Sequence, residues 1–343
     1  MEILKPYALN PGDTLGIFTP SSPSYGENEG LFQNGLKHLA SLGFKTKLGN
    51  LTAARGNQGY RSGSPQERAD ELMSLVRDPE VKGLVATIGG NNSSSLIPYL
   101  DFAEIRRSRK LLCGYSDITS LHLAYLHYAG LSSLYGPTAM TWHGEWPNGI
   151  PESSAWFLEA ATKHRGGSRE VLPPARWSNH RRSWDNGDWQ KIPRQWQLNP
   201  GWTMLSPGQV EAPILAVNLN TLLTAAGTPY WPHLNGKILL LEDMAAPLSG
   251  TERALRQLSL MGTFDQIAGL IIGKPEYYEQ EGAPFDYDDI FREVIGPRPY
   301  PIVSNFDCSH TVPMISIPQL SPVALSADAA NGVSFTFLDG AIA

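Results

Sequence analysis

The stretch Leu111-Leu112-Cys113-Gly114-Tyr115-Ser116-Asp117 decides how this chain is read. An apolar run stops at a glycine, a serine follows two residues later, and a helical pattern begins at once. Such a pattern places a serine on a sharp strand-to-helix turn, its hydroxyl exposed and backbone N–H groups free beside it. The run is not Gly-x-Ser-x-Gly, so the α/β-hydrolase pattern does not apply as written. On this stretch alone Ser116 is either a nucleophile or a helix cap.

Outward from it, short apolar runs alternate with amphipathic ones over the first 140 residues or so. Residues 14–19, 83–88 and 110–113 read as strands. Residues 30–42 read as a helix stopped by Gly43, and 116–129 as a helix stopped by Gly130. Ser64-Pro65-Gln66-Glu67 has the serine, the N1 proline and the N3 glutamate of a capping box, with a helix running to about Val76. Strand-helix alternation argues for a parallel sheet covered on both faces. All nine tryptophans fall between Trp142 and Trp231, and 165–200 is rich in Arg, Pro, Gly, Asn and Trp. That composition reads as a long structured loop, since disordered segments are poor in aromatics. From Val210 a second, mixed unit follows, with strands over 237–241 and 267–272, a helix over 251–260, and short β-like runs at 302–304, 323–326 and 333–338.

Bulk properties narrow the class. The chain has 343 residues, 41% hydrophobic and 17% charged, with a net charge of −6 and no basic stripe, which argues against a nucleic-acid polymer as partner. No apolar run approaches about 18 residues, and the start lacks a secretory pattern, so a cytoplasmic protein without a membrane partner is expected. The two cysteines, Cys113 and Cys308, have no metal-ligand spacing. No Gly-x-Gly-x-x-Gly, Walker loop, His-Glu-x-x-His or Cys-x-x-Cys is present, so neither a nucleotide cofactor nor a metal is expected.

A serine nucleophile needs a base within hydrogen-bond reach and a carboxylate to orient that base. His122 and His127 lie on the helix after Ser116 and do not reach back. His310 stands out, between a short apolar strand and Pro313 in Asn305-Phe306-Asp307-Cys308-Ser309-His310-Thr311-Val312-Pro313; a surface loop histidine is the plainer alternative. A carboxylate follows the strand Leu239-Leu240-Leu241 as Glu242-Asp243. Glu242 continues the strand, although alternation alone does not choose between the two. Oxyanion donors are available in the Asp117 N–H and in the turn Ile88-Gly89-Gly90-Asn91-Asn92.

Together these pieces resemble the LD-carboxypeptidase family of serine peptidases over nearly the whole chain. The resemblance rests on Pro11-Gly12-Asp13-Thr14, Thr87-Ile88-Gly89-Gly90, Gly114-Tyr115-Ser116-Asp117, Tyr135-Gly136-Pro137, Leu241-Glu242-Asp243 with Glu252-Arg253, and Asp307-Cys308-Ser309-His310-Thr311 with Pro313. It implies an α/β fold: an N-terminal parallel-sheet (flavodoxin/Rossmann-like) domain over 1–165, a Trp-rich inter-domain loop over 166–205, and a smaller β-rich C-terminal domain over 206–343. It implies a triad of Ser116, Glu242 and His310, an oxyanion hole from the N–H groups of Gly90 and Asp117, and a homodimer. One family branch trims D-alanine from murein tetrapeptides; the microcin C self-immunity branch cleaves an amide joining an aspartyl group to a nucleotide-like moiety. The Trp-rich segment resembles the second branch and implies a small peptidyl or aminoacyl-nucleotide substrate, contacted by Gly89, Asn91, Trp177, Trp184 and Asn218. Those tryptophans have an alternative role as filler of the domain seam. Ala216-Val217 stands where many relatives have Gly-Gly, and Asn179-His180 where relatives often have acids. A murein carboxypeptidase and a non-catalytic small-molecule binding protein remain as competing expectations.

Overall fold

Leu111–Gly114 is a strand with all four residues buried, inside a six-stranded sheet. The computed structural model describes residues 2–23, 28–162, 167–184, 186–339 and 342. The sheet order is Ile317–Pro318, Leu134–Tyr135, Leu111–Gly114, Val81–Ala86, Thr14–Phe18, Lys45–Leu48. Every pairing is parallel except that of Ile317–Pro318 with Leu134–Tyr135. Strand alternation splits the apolar residues between two cores. Leu111, Cys113 and Val85 pack under the helices Glu29–Ser41 and Pro151–Ala161, whereas Leu112, Leu84 and Ala86 pack under Pro65–Arg77. Near-continuous apolar strands are what a sheet buried on both faces requires. The Ser64 box forms as expected: Ser64 Oγ accepts from the Glu67 N–H at 3.2 Å, and Glu67 Oε2 accepts from the Ser64 N–H at 2.8 Å.

The helix after Ser116 winds unevenly. It opens as a 3-10 turn, Ser116–Ile118, becomes α-helical over Thr119–Ala124, widens to π geometry over Tyr125–Ala129, and stops at Gly130 with φ +55°. A positive φ is cheap for glycine, which makes it the stop signal read from the sequence.

The second sheet has eight strands in the order Arg169–Val171, Gly332–Phe337, Pro322–Asp328, Gly208–Asn218, Ile238–Glu242, Gly269–Gly273, Ile302–Phe306, Thr203–Ser206. Its four consecutive strands from Gly208–Asn218 to Ile302–Phe306 are parallel, and the flanking pairs are antiparallel. One face, with Leu239, Leu241, Leu270 and Ile272, packs under the helices Leu248–Leu260 and Tyr287–Ile295. The other face, with Ile238, Leu240, Ile271 and Val303, packs against Tyr115, Tyr135, Trp142, Ile315 and Ile317. This second core is the seam between the sheets.

The segment expected between the domains is tied into both. Arg169–Val171 and Thr203–Ser206 are edge strands of the second sheet, and Arg176–Trp177 pairs with Gln197–Leu198. Ser178 and Val312 bridge it to the stretch after His310. Among the described residues no helix is long and apolar enough to cross a membrane.

Candidate functional site

Ser116 stands directly beyond the carboxyl end of the Leu111–Gly114 strand, the edge where open parallel sheets bind ligands. Its φ is +61°, a strained value for a side-chain-bearing residue, and it turns the hydroxyl out of the sheet. The turn is clamped: the Ser116 N–H donates to the Tyr135 hydroxyl at 3.1 Å, which donates to Glu242 Oε1 at 2.6 Å. Tyr135 was quoted in the sequence without a role; its partners lie 19 and 107 residues away, beyond any local pattern.

Glu242 and His310 complete a chain of three groups. Glu242 Oε2 lies 2.6 Å from His310 Nδ1, and His310 Nε2 lies 3.1 Å from Ser116 Oγ. The Glu242 side chain is fully buried, and Oε1 also accepts from Asn218 Nδ2 at 3.1 Å. Burial opposes a charge on His310. The Glu242 carboxylate, helped by Glu276 and Asp243, outweighs that and holds the imidazole above its ordinary value of 6.5. Of the paired acids, Glu242 faces His310, and Asp243 accepts from Asn220 Nδ2 at 3.0 Å. His122 is buried on Ser133 and the Gly114 carbonyl, away from this chain of groups.

Two turns meet at the serine. At Gly89 a Cβ would come within 3.2 Å of Ser116 Cβ and 3.5 Å of its hydroxyl; at Gly90, with φ +153°, one would strike Ser21 Oγ at 2.3 Å. Only glycine lets this turn lie so close. Asp117 locks the two turns together, its Oδ2 accepting from the N–H groups of Asn92 at 3.0 Å and Ser93 at 2.9 Å. The N–H groups of Gly90 and Asp117 make no hydrogen bond to another described residue.

His310 rides on a loop held from below by a buried ion pair that the sequence did not disclose. Lys274 Nζ and Asp307 Oδ1 are 2.7 Å apart, with side chains 1% and 0% exposed. Asp307 also accepts from Trp202 Nε1 at 2.9 Å and Asn199 Nδ2 at 3.1 Å, and Ser309 Oγ donates to the Lys274 carbonyl. Tyr115 packs edge-on to the His310 ring, with centroids 4.7 Å apart.

Over these groups lies a cavity of about 810 Å³, walled by both sheets and the Trp-rich segment. Gly89, Gly90, Asn91, Ser116, Asp117, Trp184, Asn218 and His310 line it, as does Trp189. Trp177 lies off the wall, its ring under the Lys274 ammonium at 5.7 Å. Asn218 reaches the wall, but its amide is committed: Nδ2 donates to Glu242, and Oδ1 accepts from the Thr221 N–H and hydroxyl. Glu145 joins Arg182 to Arg194, fixing the tryptophan-bearing loop. No group of three or more His, Cys, Asp or Glu side chains among the described residues is arranged to hold a metal ion.

A hydroxyl, an imidazole and a buried carboxylate in this order can move a proton from the hydroxyl to the imidazole while the carboxylate stabilises the resulting charge. Comparison with known proteins gives that geometry a family. Residues 15–136 match the LD-carboxypeptidase N-terminal domain, and 211–325 match the LD-carboxypeptidase C-terminal domain. The microcin C7 self-immunity protein MccF of Escherichia coli is 33% identical over 321 residues, covering 93% of this chain and 92% of that protein. A probable murein peptide carboxypeptidase of Bacillus subtilis is 28% identical, covering 92% and 89%. The structure of MccF in complex with aspartyl sulfamoyl adenosine aligns with a TM-score of 0.92 at 32% identity, covering 99% of this chain and 100% of that one. On fold, on sequence and over nearly its whole length, this chain belongs to the LD-carboxypeptidase family of serine peptidases.

Proposed function

We propose that this protein hydrolyses the amide bond of aminoacyl- or peptidyl-nucleotides of the microcin C type, and so detoxifies them. The single observation that carries this reading is the chain Glu242–His310–Ser116 beneath a cavity that Trp184 and Trp189 line. Ser116 Oγ attacks the carbonyl and His310 Nε2 takes its proton. The N–H groups of Gly90 and Asp117 receive the developing oxyanion. His310 returns the proton to the departing nitrogen, leaving an acyl-enzyme. Water, deprotonated by His310, then releases the acid and regenerates the serine. Glu242 holds the imidazole in orientation throughout. Trp184 supplies a face on which a base stacks, and Gly89, Asn91 and Asn218 shape the wall beside it. The cytoplasm and a homodimer are part of the same proposal, tested by fractionation and by sedimentation.

The test offers the purified protein an aminoacyl sulfamoyl adenosine and a tetrapeptide ending in D-alanine. Hydrolysis of the adenosine compound, weakened about 5- to 150-fold in kcat/KM by Trp184→Ala, supports the reading, since base stacking is worth ~1–3 kcal/mol. Cleavage of the tetrapeptide alone overturns it. That outcome is the second reading, murein tetrapeptide carboxypeptidase, which the similarity to the B. subtilis protein favours.

A further inference from the structure

The strand that delivers Glu242 delivers a second acid to the cavity, and one of its oxygens has nothing to bind. Asp243 Oδ1 accepts from Asn220 Nδ2 and from the Met244 N–H, at 3.0 and 2.9 Å. Oδ2 is buried and has no hydrogen-bond partner, although the residue is 6% exposed and lines the cavity. An unpaired buried carboxylate oxygen is costly. A second carboxylate, Glu276, lines the same cavity, and its contact with Arg181 is a loose 3.5 Å from a largely exposed guanidinium. Asp243 and Glu276 line the same cavity as Ser116 and His310. Burial raises both above the ordinary carboxylate range, the direction expected of acids that lack a strong cationic partner.

We infer that Asp243 and Glu276 form a subsite for a primary ammonium group on the acyl part of the substrate, the part that becomes bound to Ser116. An ammonium brings three N–H donors and one positive charge, so it can satisfy the free Asp243 oxygen and offset both acids. In an aminoacyl substrate this group is the α-ammonium, next to the scissile carbonyl. In a murein peptide it is the side-chain ammonium of a diamino acid. The chemistry is shared, and the inference rests on the proposed hydrolase reading of this site.

The experiment uses two substrate pairs and the unmodified protein. One pair is an aminoacyl sulfamoyl adenosine with its α-amine free or acetylated. The other is a tetrapeptide whose diamino acid has a free or acetylated side-chain amine. In whichever pair is cleaved, kcat/KM for the acetylated member falls at least about tenfold, the scale of a lost charge-assisted hydrogen bond. Asp243→Asn lowers the free-amine rate by a larger factor than the acetylated rate, so the free-to-acetylated ratio shrinks at least about fivefold, which a merely structural or electrostatic role, acting on both members alike, would not do. Acetylated and free members cleaved within about threefold of each other by the unmodified protein overturn the subsite alone. So does an equal loss on both members in Asp243→Asn. Cleavage of neither pair overturns the hydrolase reading and the subsite with it.

Discussion

The turn bearing Ser116 and the loop bearing His310 meet across 3.1 Å, yet they are held by different means. The serine turn is a local device: a buried strand, a glycine, a helix start, and a facing Gly89-Gly90 turn fastened by Asp117. The histidine loop hangs on distant chain, through Lys274, Trp202 and Asn199. A strained backbone at Ser116 is sustained by close packing, whereas the loop at His310 is sustained by charge in a dry place. The difference teaches that the two halves of one candidate site need not fail in the same way.

Substitutions can break that contrast. Ser116→Ala removes the proposed nucleophile and is expected to lower kcat by roughly 10⁴–10⁶-fold with the unfolding midpoint nearly unchanged. A variant that kept near-normal turnover would end the assignment. Lys274→Met leaves Asp307 charged and buried, so a loss of about 3–5 kcal/mol in denaturant unfolding is expected. If stability instead stayed within about 1 kcal/mol, the ion pair would not be what holds the loop. Tyr135→Phe deletes the hydroxyl between the Ser116 N–H and Glu242. A fall of about 10- to 100-fold in kcat with little change in KM is expected, the scale of a hydrogen bond to a charged group. Unchanged kcat would confine the strained turn to packing alone.

The smallest effect concerns pH. In the proposed mechanism His310 serves as a base only when neutral, and its pKa is held above 6.5. Activity therefore falls as pH drops through that raised value, and the acid limb of kcat/KM lies above 6.5. Glu276→Gln removes one of the carboxylates that raise it, so the limb moves to lower pH. A limb that stayed in place would remove Glu276 from the electrostatics of the site.

How much was legible follows the same division. The Ser64 cap, the central strand and the Gly130 stop are written in neighbouring residues, so they were readable one at a time. Glu242 and His310 could be singled out as candidates because a strand end and a polar loop carry local signatures, and they lie 2.6 Å apart in the structure. Asp243 was separable from Glu242 only in three dimensions, since the choice depends on which side of the strand end faces His310. Lys274 gave no signal and Tyr135 none of its role, because each acts on a partner far along the chain. Among the tryptophans, composition marked the segment, but only packing distinguishes Trp184 on the cavity wall from Trp177 beneath Lys274.

The strand Ile317–Pro318 closes the edge of the first sheet, although the strands on either side of it in sequence, Ile302–Phe306 and Pro322–Asp328, belong to the second. A fragment holding only the serine-bearing half would thus present Leu134–Tyr135 as an open edge, an invitation to aggregate. The two halves are consequently poor candidates for exchange between relatives as cassettes. A workable chimera must carry the return crossing along with the histidine, so that inheritance of the proposed nucleophile and of its proposed base stays coupled through eight residues of chain, 310 to 317.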